Sequence, residues 1–377
     1  MTLDNSTSTV LVLGGVGFIG RHFVDYLVKN NLVAPSNIRV ADKALPQTAY
    51  LSEAHKETFA KVEFKQTNLI NPNSIQACFQ RTDGKEFDYV FNFAAETKYS
   101  QVPEVYQERI YQLSINCAKE AAKRNVKVFV EMSTAEVYDS DQDASTESSK
   151  IKPWTVVAKH KYKAEEELKK IKGLNLVILR PAVVYGPGAL NGLTPRLIIG
   201  RIYKHLNEEM KLLWSKDLKL NTVHVDDVTR ATWHTANWYL KHGKTNDRVP
   251  VFNLADKEDT DQETINKQLQ SIFGITTGYH GSVVSSFAKL NLDSVIEDVN
   301  EKHLAPWAEL VRKSDIQVTP LSPYLDEELL YNNALSVDGS KIERETGFVY
   351  TVPKLTQEKL EEIIDYYRAL KVWPNDE

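Results

Sequence analysis

The chain has 377 residues, 42% hydrophobic, 26% charged and 10% aromatic, which is the usage of an ordinary folded protein and not of a disordered, collagen-like or coiled-coil one. At about 150 residues per domain, that length is a prior for two to three domains. Lys and Arg number 46 against 51 Asp and Glu, a formal net charge of −5, which argues against a general phosphate-backbone binder, so no nucleic-acid partner is expected. The cysteines Cys78 and Cys117 are too few for a disulfide framework and lack metal-ligand spacing, so no metal site is expected. Residues 1–9 are polar, and no run approaches the ~18 apolar residues of a membrane helix. The expected location is cytoplasmic, with no membrane partner.

In chain order, an apolar run at 10–13 is followed by a glycine cluster, a helical pattern over 19–30 and a second apolar run ending in Asp42. This is a strand-helix-strand unit. The alternation continues with a strand at 62–64, a helix at 74–81, a strand at 89–93, a helix at 109–124, a strand at 126–132, a helix at 157–172 and a strand at 176–179. Strands separated by helices predict an α/β fold, a doubly wound parallel sheet of the Rossmann type, with a smaller C-terminal α/β region. After Pro181 the regularity weakens, and Gly186, Pro187, Gly188, Gly192 and Pro195 mark loops. The predicted division is 1–185 for the dinucleotide-binding domain, its sheet completed by later elements, and 186–377 for a substrate-binding region and C-terminal cap. Residues 275–335 are the least readable, whereas 355–370 carry apolar residues at helical spacing.

Gly14, Gly17 and Gly20 form Gly-x-x-Gly-x-x-Gly between the first strand and its helix. Small residues there permit a tight turn and let a pyrophosphate approach the helix N-terminus, where Phe18 and Ile19 open the first turn. Asp42, at the end of the second strand, is placed to accept hydrogen bonds from the adenosine ribose and to repel a 2′-phosphate, favouring NAD over NADP. Lys43 beside it could accommodate a phosphate and works the other way.

Several motifs in order now resemble an extended short-chain dehydrogenase/reductase of the NAD-dependent epimerase/dehydratase family. Thr67-Asn68-Leu69 resembles the adenine-contacting element, with Asn68 in place of Asp. Asn92-Phe93-Ala94-Ala95-Glu96 resembles the alanine pair beside the cofactor, and Thr97 and Tyr99 follow as substrate-side candidates with Glu96. Ser133 to Tyr138 resembles the stretch carrying the catalytic Ser/Thr, here Thr134. Leu179 to Gly188 resembles the segment lining the nicotinamide, which brings in Pro181 and Val183. The segments 223–228 and 336–367 also fit the family's order.

The resemblance implies Tyr-x-x-x-Lys on the next helix, at Val157 and Lys161: the lysine is present and the tyrosine is not. Val157, Lys161, Ala164 and Leu168 share one helical stripe, so the spacing predicts that Lys161 points inward, and the resemblance implies the nicotinamide ribose hydroxyls as its partners. Val157 cannot move a proton, and Tyr99 is the better substitute than Tyr162. Thr194 and Arg196 stand where enzymes of this kind contact the substrate diphosphate, although a lone arginine there is often a solvated helix end. His224 with Asp226 and Asp227 is read as structural or substrate-lining, and Trp233, Trp238 and Tyr239 as core. Three functions stay open: an NAD(H)-binding protein without ordinary catalysis, an active nucleotide-sugar epimerase, dehydratase or reductase with another proton donor, and a scaffold with an empty groove. A homodimer through helices 109–124 and 157–172, or another protein partner, is left open, the charges Glu165, Glu166, Glu167, Lys169 and Lys170 counting against that face.

Overall fold

The computed structural model describes residues 7–243 and 248–375. Strand β1 (Val10–Leu13) leads to α1 (Phe18–Lys29), β2 (Ile38–Asp42), α2 (Glu53–Phe59), β3 (Glu63–Gln66), α3 (Pro72–Phe79) and β4 (Tyr89–Asn92). A continuous helical rod follows, made of α4 (Pro103–Tyr106), a π-helical stretch (Gln107–Gln112) and α5 (Leu113–Lys123). Then come β5 (Val128–Met132), α6 (Val156–Leu168), β6 (Leu176–Pro181), β7 (Val183–Tyr185), α7 (Thr194–Leu206), β8 (Met210–Leu212), β9 (Thr222–His224) and α8 (Val225–His242). The chain ends with β10 (Val251–Leu254), α9 (Gln262–Phe273), β11 (Thr277–Tyr279), α10 (Ser282–Leu290), α11 (Leu292–Lys313), a 3₁₀ turn (Glu327–Leu330), α12 (Lys341–Thr346) and α13 (Gln357–Ala369).

The central sheet has seven strands among the described residues, in the order β10-β6-β5-β4-β1-β2-β3, and every pairing is parallel. This is the doubly wound arrangement that the strand-helix alternation predicts. Strand order reverses between β1 and β4, and a ligand crevice opens at the carboxyl ends of strands at such a point. The inner strands β1, β4, β5 and β6 are buried along their whole length, as a sheet covered on both faces requires. One face packs on α1 and α8 through Phe23, Leu27 and Trp233; the other packs on α3, α5 and α6 through Phe79, Ala118 and Leu168. A further core joins α7, α9, α11 and α13 through Leu197, Leu269, Trp307 and Ile363.

Three local differences from the sequence expectation have physical causes. The helix expected at 109–124 starts at Pro103, because proline is well suited to a first helical position. The helix expected to reach 172 stops at Leu168, its last turn closing before Gly173, whose φ is +79°. The unreadable stretch holds the 22-residue α11, whose pattern is interrupted by Pro306 inside it.

A Cβ on Gly20 would stand 2.4 Å from the Gly14 carbonyl oxygen and 2.6 Å from Gly15 Cα, both backbone. Gly20→Ala is therefore expected to cost roughly 1–3 kcal/mol or more, as overpacking does. Gly281→Ala, where no atom lies within 4 Å, is expected to be near neutral. Paired denaturant titrations check both.

Candidate functional site

At the phosphate end, Gly14 leaves β1 with φ +71°, and a Cβ there would stand 2.5 Å from the Ala94 nitrogen. The two strand ends at the switch point are thus pressed together, which only glycine allows. Gly17 precedes α1 with extended backbone, no side chain caps that end, and no acidic residue sits in the first turn with Phe18 and Ile19. The helix N–H groups and the positive end of the dipole are left for an anion. The Asp42 carboxylate accepts from the Val16 N–H and from the Ala44 N–H, both at 3.0 Å. It is fixed at the lip of the glycine loop with further lone pairs to offer a ribose diol.

Around the adenosine side, Lys43 is exposed, its Nζ 3.9 Å from Glu96 Oε2. Arg109, on the π-helical stretch, donates to the same oxygen at 3.0 Å, and the Lys98 N–H donates to Oε1 at 3.2 Å. Burial works to raise the Glu96 pKa, but these partners hold it below the usual carboxylate range. Glu96 is therefore a neutralised anion between two cations. Thr97 is exposed; Asn68 is exposed and accepts from the Ile70 N–H at 3.3 Å; Leu69 is buried. Phe93, Ala94 and Ala95 line the end of β4, half-buried, as does Val183 after the buried Pro181.

At the carboxyl end of β5, Lys161 is 6% exposed and faces inward, as the stripe predicts. Its Nζ donates to the Met132 carbonyl at 2.5 Å and lies 3.9 Å from Glu131 Oε1. Burial lowers the ammonium pKa while Glu131 and Glu165 pull it back up. Glu131 also accepts from Asn92 Nδ2 at 2.7 Å and from Ser114 Oγ at 2.9 Å. Glu165 takes two hydrogen bonds from Arg180, at 3.0 Å and 2.5 Å, and one from the Ser133 hydroxyl. This corrects the reading of Glu165 as a surface charge: it is 0% exposed. Arg180 continues to the Tyr138 hydroxyl at 2.8 Å, and Tyr138 to Asn253 at 2.6 Å.

Val157 is half-buried on the first turn of α6. Thr134 is half-buried and its Oγ1 accepts from the Glu136 N–H at 3.2 Å, which leaves its own hydroxyl proton for a substrate. Burial, with Glu136 and Glu328 nearby, pushes the Tyr99 phenol well above its ordinary value, so phenolate formation there is disfavoured. Glu136 was not singled out from the sequence, although a carboxylate two residues after Thr134 in an otherwise apolar turn was its signal. Burial raises its pKa to about 7, against the Thr155 hydroxyl bond and with the like charge of Glu328.

On the substrate side, Thr194 is fully buried and its hydroxyl donates to the Ala189 carbonyl at 2.6 Å. Arg196 is not a solvated helix end. Its Nη2 donates to Gln262 Oε1 at 2.9 Å, its Nη1 is buried without a partner, and burial lowers its pKa to about 10. Its guanidinium forms no ion pair with any carboxylate among the described residues. His224 caps α8 by accepting from the Asp226 N–H at 3.2 Å, and Trp233 and Tyr239 are buried core, as expected. No metal-holding group of side chains and no helix long and apolar enough to cross a membrane occurs among the described residues.

A glycine crevice at the switch point, an uncapped helix N-terminus, an acid at the end of β2 and an inward lysine on α6 define a dinucleotide-binding α/β protein. More narrowly, the chain belongs to the NAD dependent epimerase/dehydratase family, whose model matches residues 10–255. It is 21% identical over 296 residues to an uncharacterised protein of Schizosaccharomyces pombe, covering 70% of this chain and 80% of the relative. It is 24% identical over 289 residues to a putative UDP-glucose 4-epimerase of Methanocaldococcus jannaschii, covering 73% and 84%. The crystal structure of UDP-glucuronic acid 4-epimerase from Bacillus cereus, in complex with UDP-glucuronic acid and NAD, superposes with a TM-score of 0.68 at 18% identity, covering 96% of this chain and 99% of that one.

Two predictions follow from the electrostatics. Arg180→Leu strands the Glu165 carboxylate in the core and is expected to cost about 3–5 kcal/mol in chemical denaturation. Asp256 is also raised to about 7, by burial and the neighbouring Glu258 and Asp227. Glu136 and Asp256 hold their protons longer folded than unfolded, so stability is greatest below their ordinary values of 4.5 and 3.8 and falls as pH rises through about 7. Burial lowers the values of His22, His55 and His303, which act in the opposite sense, so the check is a difference: relative to a Glu136→Gln, Asp256→Asn double variant, the wild-type melting temperature is expected to fall as pH rises from about 5 to about 8.

Proposed function

We propose that this chain binds NAD across the switch point and takes a nucleotide sugar, with its proton chemistry altered from that of a Tyr-x-x-x-Lys enzyme. Support for NAD comes from the chain's family, from the Gly14, Gly17 and Gly20 crevice, and from Asp42, whose carboxylate opposes a 2′-phosphate. Lys161 keeps two ammonium hydrogens beyond its bond to Met132 for the nicotinamide ribose hydroxyls. When bound, NAD supplies hydride acceptance and return. The Thr134 hydroxyl orients the reacting sugar oxygen, and Val157 leaves the usual proton acceptor out.

The observation that carries the substrate reading is Arg196. Arg196 is half-buried with its Nη1 shut off from water and no counter-charge, an arrangement that is costly to leave unpaired, and its planar fork matches phosphate. Its place on the first turn of α7 is where the family resemblance puts the substrate diphosphate. The Bacillus cereus and Methanocaldococcus jannaschii proteins, which act on UDP-sugars by their names, support the same substrate class. A second reading, a cofactor-holding protein without turnover, is favoured by Val157 together with the raised Tyr99 phenol.

Arg196→Met tests the substrate reading by thermal denaturation. Without ligand, the variant is expected to melt at the wild-type temperature or above, since a buried unpaired charge has been removed. With UDP-glucose at roughly 100 times its dissociation constant, wild type should gain about 2.7 kcal/mol and the variant almost none. A variant that melts lower yet keeps the full ligand shift would refute the assignment.

A further inference from the structure

The 3₁₀ turn Glu327–Leu330 is tied down at both sides of the crevice's mouth. Ser100 Oγ, on the loop after β4, donates to Asp326 at 2.7 Å. The Val156 N–H, at the start of α6, donates to both oxygens of Glu328, at 3.2 and 3.3 Å. Glu136 is held one residue earlier, by the Thr155 hydroxyl at 2.8 Å. Two carboxyls from distant parts of the chain are therefore anchored on consecutive residues, immediately before Val157, where the phenol is missing.

Their anchors are unequal. Glu328 accepts a backbone N–H at the positive end of a helix, an arrangement that favours its carboxylate form. Glu136 accepts from a neutral hydroxyl and has no cation beside it. The groups facing the pair from other elements are Tyr99 on the loop after β4, Tyr106 on α4 and Lys159 on α6, with Asp326, Glu327 and Tyr331 around the 3₁₀ turn. Lys159 and the Val156 N–H work against burial, which raises the Glu328 pKa.

On the reading that the crevice takes NAD and a nucleotide sugar, we propose that Glu136 is the catalytic proton carrier in place of the phenol, with Glu328 as the positioning residue that sets when Glu136 yields its proton. In the oxidising direction, the carbinol carbon of the sugar loses its hydrogen as hydride to the oxidised nicotinamide. The carbon–oxygen single bond becomes a carbonyl, and the hydroxyl proton passes to the Glu136 carboxylate. The reverse direction returns hydride and proton to the same atoms. Glu136 titrates at about 7, so both of its forms are populated near neutrality, which a general acid–base group needs.

Infrared difference spectra of the full chain between pH 6 and pH 8, about one unit either side of the Glu136 midpoint, test this without substrate. Wild type minus Glu136→Gln should isolate one protonated-carboxyl stretch that disappears near pH 7, and in Glu328→Gln the same band should titrate at lower pH. Both variants keep an oxygen acceptor for Thr155 or Val156, so both are expected to fold. With NAD and UDP-glucose or UDP-glucuronic acid as probes, the single-turnover rate of NADH formation should rise through the same midpoint. It should fall by roughly 10²-fold or more in Glu136→Gln with KM little changed, and its profile should move to lower pH in Glu328→Gln. A band or rate unaffected by Glu136→Gln would overturn the proposal, as would a wild type that binds NAD and both sugars but turns over neither. If neither NAD nor the sugars raise the melting temperature, the binding reading itself fails and the proposal falls with it.

Discussion

The position of α6 depends on a buried set of two carboxylates and two cations, Glu131 and Glu165 with Lys161 and Arg180, each no more than 6% exposed. Glu131 comes from β5, Arg180 from β6, and Lys161 and Glu165 from successive turns of α6, so the set ties the helix to two central strands at once. Removing four charges from water costs several kcal/mol for each, and the cost is offset only while every partner is present. Such a set contributes little net stability, but it makes any other placement of the helix expensive. It also fixes the Lys161 ammonium at the carboxyl end of β5 and, one turn earlier, presents Val157 at the mouth of the crevice.

That constraint separates binding from proton chemistry. The features that suit a dinucleotide are a backbone crevice closed to any side chain at Gly14 and Gly20, a helix N-terminus without a side-chain cap, and Asp42 held at the lip of the loop. Positive character lies at the N-terminus of α1, and on the first turn of α7 Arg196 has no carboxylate partner among the described residues. Carboxyls gather at the other end, around Tyr99 and the start of α6, where Glu136, Glu328 and Asp326 raise the phenol rather than activate it. Burial and these carboxyls disfavour phenolate at Tyr99, while burial raises Glu136 to about 7.

Much of this was legible from the sequence, because its determinants are local. Gly14 to Gly20, Asp42 and the strand-helix alternation follow from backbone sterics and periodicity, and the inward stripe of α6 placed Lys161 correctly. What was not legible depends on charge pairing between distant segments. Glu165 looked like one of a run of surface carboxylates, and only Arg180 across the sheet shows why it is buried. Arg196 could be named as a substrate candidate, but its lack of a carboxylate partner is a property of the surrounding packing. Glu328 is brought to Val156 by a stretch whose pattern, broken by Pro306 and lacking periodicity, gave no contact to read. A carboxylate inside the apolar strand Val128–Met132, Glu131, was a signal that could have been used.

The central claim is that the chain holds NAD. Denaturing the purified protein and identifying the released small molecules by mass spectrometry, followed by titration of the emptied protein with NAD and NADP, tests it most directly. The account predicts NAD released or NAD bound in preference to NADP, with a sugar nucleotide accompanying it where substrate has been retained. A protein that releases no nucleotide and binds neither cofactor, or one that prefers NADP despite Asp42, would contradict it.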